Sequence, residues 1–65
     1  MEYETQATSH IETLLSELYE PEGVRIWMTS PHRWFGGKSA VEMITEGRAS
    51  EVLAAVNMLI DGAFA

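Results

Sequence analysis

The sequence predicts an all-α fold, a compact bundle of four short helices forming a single domain over residues 1–65. Three observations predict it. Apolar residues recur at helical spacing in two stretches, Ile11, Leu14, Leu15 and Leu18, then Ala49, Val52, Leu53, Val56, Leu59 and Ile60. Glycine and proline stand at the breaks between stretches. No segment alternates apolar and polar residues as a half-buried strand would.

Each element has its own signals. The first helix is predicted over about residues 9–19, after a polar, frayed lead-in at residues 1–8. Ser9-His10-Ile11-Glu12 fits a capping box, and Tyr3 and Ala7 continue the apolar stripe backwards, which leaves an earlier start open. Pro21 suits the first turn of a second helix, and Glu22 favours the same end through the helix dipole. Its apolar face is Val24, Trp27 and Met28, with Ile26 off that face. Ser30 precedes Pro31 and is pushed out of the helical region, so this helix stops near Thr29. Pro31 to Phe35 reads as one tight turn, of 3₁₀ type, and Gly36-Gly37 permits backbone angles that other residues avoid. Ser39-Ala40-Val41-Glu42 is a second capping box, opening a short helix from Ala40 to Thr45 with Val41 and Ile44 inward. Gly47 breaks the chain again. The last helix follows, with Asp61-Gly62 as its expected C-cap.

Composition narrows the function. A chain of 65 residues buries only about 60% of its unfolded surface, so good helix packing, a homodimer or a larger partner must add stability. With no cysteine, neither a disulfide nor a thiolate metal site contributes. The net charge of −6 argues against nucleic acid, whose phosphates need a basic face. No apolar run approaches the roughly 20 residues that span a bilayer. The start, Met1-Glu2-Tyr3-Glu4, lacks the basic and apolar regions of a signal peptide. The expectation is a soluble cytoplasmic protein with no membrane association.

Chemistry has little to build on. Gly36-Gly37-Lys38-Ser39 resembles the end of a phosphate loop, but the glycine that motif needs five residues before Gly37 is His32, and no strand precedes it. A glycine turn feeding the Ser39 cap explains these residues better. His10 and His32 are the only histidines and share no helix-spaced ligand pattern, so no metal is expected. His10 reads as a solvated first-turn residue and His32 as a turn residue in preference to an interface residue. The acids read as helix faces and caps, and so small a chain has little room for an enzyme pocket. No catalytic residue and no cofactor is expected.

The aromatic residues carry the binding prediction. Trp27 belongs to the core. Trp34 and Phe35 are adjacent in a turn, so both cannot point inward; Phe35, beside the glycines, is the better core anchor. Trp34, flanked by Arg33, becomes the exposed anchor, since tryptophan and arginine are the residue types most enriched at binding hot spots. Phe64 either folds back on the last helix or reaches a partner.

From Trp27-Met28 through Pro31 to Phe35-Gly36-Gly37-Lys38-Ser39-Ala40-Val41-Glu42-Met43-Ile44, then Thr45-Glu46-Gly47 and the final helix to Gly62-Ala63-Phe64-Ala65, the chain resembles the toxin-binding domain of the Xre/MbcA/ParS antitoxins. The resemblance covers about residues 22–65. It implies a protein-binding module that neutralises a RES-fold, NAD-degrading toxin by covering its active site, in a homodimer or hetero-oligomer. Carried across by position, Pro31, Phe35, Gly36, Gly37 and Ser39 form the shared structural turn. Arg33, Trp34 and Lys38, with Phe64 and Ala65 at the end, are the expected protein-binding residues. Ala40 stands where the family usually has proline. An Xre-like helix-turn-helix domain usually comes first; here only one helix precedes the domain, so DNA binding is not expected. Met1 reads as the start of a short prokaryotic gene product of mobile-element or phage origin. The rival expectation is an adaptor or regulatory homodimer that binds a different host or phage protein.

Overall fold

A computed structural model describes residues 2–64, with side chains described from Thr5 to Ala63. Helix α1 spans Glu2–Leu15, α2 Pro21–Thr29, α3 Ala40–Thr45 and α4 Ala49–Phe64. Between α2 and α3 lie strand β1 (Pro31–His32), a 3₁₀ turn (Arg33–Phe35) and strand β2 (Lys38–Ser39). The all-α prediction holds, with one addition. β1 and β2 pair antiparallel, Pro31 opposite Ser39 and His32 opposite Lys38. Two residues a side are too few to show alternation in a sequence.

The helices form where apolar residues recur at helical spacing, and each buries one stripe. On α1 the inward residues are Ile11 and Leu15, one helical turn apart. α2 contributes Val24, Trp27 and Met28, and Pro21 opens it without losing a needed amide. α3 contributes Ala40, Met43 and Ile44; α4 contributes Ala49, Val52 and Val56. Phe35 enters the same core from the 3₁₀ turn. α1 packs chiefly along α4, and α3 fills the space between them.

Five local expectations are corrected. α1 starts at Glu2, so residues 2–8, expected as a frayed lead-in, are helical. Ser9 therefore lies inside a helix, where its carbonyl accepts from the Thr13 hydroxyl at 2.9 Å; it caps nothing, and the exposed His10 is not a first-turn residue. Helical hydrogen bonding gives way to turns after Leu15, short of the expected residue 19. At the other end, α4 runs through Asp61 and Gly62 to Phe64. Gly62 is absent from the positive-φ glycines, which a glycine C-cap requires. Val41 is exposed and Met43 takes the inward position beside Ile44, because α3 turns its Ala40, Met43 and Ile44 stripe to the core.

The middle of the chain follows the prediction closely. Gly36 and Gly37 take φ of 67° and 87°, the left-handed region that favours glycine. Gly47 does the same at 82° between α3 and α4. Ser39 caps α3 with both halves of the box formed. Its hydroxyl accepts from the Glu42 amide at 3.1 Å, and its own amide donates to the Glu42 carboxylate at 3.0 Å. That amide, with the Ser39 side chain second, holds the Glu42 carboxyl below the usual glutamate range. No helix among the described residues is long and apolar enough to cross a membrane.

Candidate protein-binding site

The site is built from the turn upward. Pro31 and the two glycines force the chain to reverse, and the β1–β2 pairing closes the reversal. Within it, Phe35 turns inward and is 7% exposed, while its neighbour Trp34 is 59% exposed. Trp27, on the last turn of α2, is 8% exposed. The burial of Trp27 and Phe35 and the exposure of Trp34 therefore agree with the expectation from the sequence.

His32 joins the two tryptophans. Its ring lies 4.5 Å from Trp27 and 5.0 Å from Trp34, centroid to centroid. Against Trp34 the planes differ by only 12°, a stacked pair. Nε2 lies 2.8 Å from the Trp27 carbonyl oxygen. A carbonyl only accepts, so Nε2 carries the proton and donates. Phe35 meets Trp27, His32 and Trp34 edge-on, at 6.3, 5.6 and 6.1 Å. Offset and edge-on pairs are the favourable aromatic geometries. The exposed indole is thus held on a buried aromatic platform.

Beside Trp34 runs an open groove of about 450 Å³, lined by Trp34 and Phe35 on one side and by Glu51, Ala54, Ala55, Met58 and Leu59 of α4 on the other. Met58 is 74% exposed. Sequence reasoning missed Ala54 and Met58 as site residues. The available signal was that they sit off the buried stripe of α4 while being apolar. A single exposed methionine is ordinary; only the docking of the 3₁₀ turn against α4 makes it part of a groove.

The remaining expected residues separate. Arg33 is exposed, next to Trp34. Lys38 is half-exposed and already engaged: Nζ donates to both carboxylate oxygens of Glu46 at 2.6 and 2.7 Å. Its register opposite His32 puts the two side chains on one side of the ladder. Lys38 therefore ties β2 to the end of α3. Phe64 closes α4, with its side chain outside the described residues, and Ala65 lies outside them altogether. Arg48 donates to Glu51 through Nε at 2.8 Å and through a terminal nitrogen at 2.9 Å. This forked contact raises the Arg48 pKa and lowers that of Glu51. No group of three or more His, Cys, Asp or Glu suited to a metal ion occurs among the described residues.

A family model described as the antitoxin Xre/MbcA/ParS C-terminal toxin-binding domain matches residues 12–62. The chain belongs to this family. The match opens at residue 12, within α1, where the resemblance was expected from residue 22; the last turn of α1 is thus part of the family domain. Arg33, Trp34, Lys38 and the groove residues of α4 all fall inside it, and Phe64 and Ala65 fall beyond it. No curated protein and no solved structure gave a significant match. As a toxin-binding domain of an antitoxin family, the chain has a toxin-neutralising role and a protein partner.

Proposed function

We propose that this chain neutralises a RES-fold, NAD-degrading toxin in the prokaryotic or phage-infected cytoplasm by covering the toxin's active site. The contact face is centred on Trp34, with Arg33 on one flank and the groove along α4 on the other. Phe64 and Ala65 remain expected contact residues. Lys38 belongs to its edge and acts through its grip on Glu46. The observation that carries this reading is an indole 59% exposed yet stacked on a partly buried histidine. A large aromatic held rigid at the surface loses little freedom on binding, which is the character of a hot spot. The mechanism is steric and asks no chemistry of the antitoxin. The working assembly is a hetero-oligomer in which the antitoxin is paired as a homodimer.

The test is to purify the tagged chain from its native cell, identify what accompanies it, and measure NAD turnover by that protein with and without the chain. Near-stoichiometric recovery of a RES-fold protein whose NAD consumption the chain stops is the expected result. Recovery of a different protein would discard the RES toxin. An Arg33→Ala, Trp34→Ala double variant that folds and binds unchanged would remove this face from the account.

A further inference from the structure

Trp34 has two ring faces, and they meet different surroundings. His32 lies flat on one at 5.0 Å. Phe35 touches the ring edge-on at 77°. Trp34 also lines the groove, whose other wall on α4 is apolar except for one ionisable residue, Glu51. An open aromatic face, methylene-sized apolar walls and a single carboxylate form the combination that suits a guanidinium on an aliphatic stem. The geometry points to an arginine side chain of the partner protein as the occupant of this groove. Its stem lies on Met58 and Leu59, its planar head on the open face of Trp34, and its charge on Glu51. The inference rests on the proposed reading of this face as the toxin contact, and it names the group that the face receives.

Charge favours this occupant. The chain carries −6, and α4 has no lysine or arginine from Ala49 to Phe64. Glu51 already accepts a guanidinium in forked geometry, from Arg48. That pair is roughly half exposed on both sides, at 46% and 52%, so exchanging Arg48 for an incoming arginine costs little. Lysine fits less well. Its ammonium is compact and strongly hydrated, and it cannot stack as a plane on the indole. His32 has a part in this. By fixing the plane of Trp34, it keeps the receiving face open before the partner arrives.

The experiment needs no toxin. The isotope-labelled full chain is titrated with N-acetyl-arginine amide, N-acetyl-lysine amide and N-acetyl-norleucine amide, following the Trp34 indole N–H and the Met58 methyl by NMR. The arginine compound is expected to give saturable shifts of both signals, the lysine compound weaker ones, and the norleucine compound none that saturates. Glu51→Gln should weaken arginine binding by roughly threefold to tenfold, the loss of one exposed ion pair beside a cation–π contact. Equal binding of norleucine and arginine, or arginine shifts that leave Trp34 and Met58 untouched, would overturn the assignment; this holds for the unaltered chain, whatever the variant does. A chain that binds the arginine compound here but fails to stop a RES-fold toxin keeps the groove's ligand and loses the toxin. The reverse result keeps the toxin and removes arginine.

Discussion

Trp27 and Trp34 lie seven positions apart and touch the same histidine, yet one is 8% exposed and the other 59%. The difference lies in the backbone between them. Ser30 leaves the helix before Pro31, the strand pair reverses the chain, and the 3₁₀ turn spends its single inward position on Phe35. Trp27 is a core residue whose burial stabilises the domain. Trp34 is presented by that core and adds little to it. In a chain this small, a buried and an exposed aromatic share one prop, His32, and on the proposed reading the exposed one serves recognition.

Several changes would break or sharpen this contrast, and their effects on stability descend in order. Trp27→Ala should cost about 3–5 kcal/mol, comparable with the whole stability of so short a domain; far-ultraviolet circular dichroism should show a largely unfolded chain at room temperature. Gly36→Ala forces a Cβ into φ of 67°, with open space around it. Strain alone should then cost about 1–2 kcal/mol in urea unfolding. Ser39→Ala removes the α3 cap, and a loss of about 1 kcal/mol is expected. Trp34→Ala should cost about 1 kcal/mol or less, since its ring contacts with His32 and Phe35 lie at the surface, while abolishing toxin binding. A Trp34→Ala chain that unfolds as Trp27→Ala does would erase the distinction between the two tryptophans.

Acid should act on the caps and not on the aromatic platform's exposure. The folded pKa values of Glu42 and Glu51 are both lowered, Glu42 first by the Ser39 amide and Glu51 first by the Arg48 hydrogen bond. Groups lowered in this way stabilise the fold above the unfolded glutamate value, about 4.3. That contribution is lost as pH falls below it and through the folded values. Thermal unfolding followed between pH 7 and pH 3 should therefore be flat at first and then decline. Ser39→Ala should decline only slightly less steeply, because Glu42 loses the smaller contribution of the Ser39 side chain and keeps the larger one of the residue 39 amide.

The same pair of regions shows what the sequence could and could not reveal. Ser39 and Ser9 both begin a Ser-x-x-Glu pattern, and only Ser39 is a cap. Two glycines with positive φ stop anything helical before Ser39; Gln6-Ala7-Thr8 stops nothing before Ser9, so the helix runs on to Glu2. Asp61-Gly62 failed for a related reason. Glycine in a helix costs about 1 kcal/mol relative to alanine, which is not enough to end one by itself. Trp34's exposure was legible because Phe35 is its neighbour and both could not turn inward. The groove was not, since Ala54 and Met58 belong to a helix 20 or more residues further on, and nothing in their own spacing says which surface docks there. The Lys38–Glu46 ion pair was not legible either, because Glu46 lies across α3, beyond any local pattern.

The central claim is that Trp34 serves recognition and Trp27 serves the fold. The most direct test titrates a RES-fold toxin's NAD consumption with the unaltered chain and with Trp34→Ala, after circular dichroism has shown the same helical content and melting within a few degrees. Inhibition by the unaltered chain and none by the folded Trp34→Ala chain is the predicted result. Equal inhibition by both would contradict it and move the contact face away from Trp34.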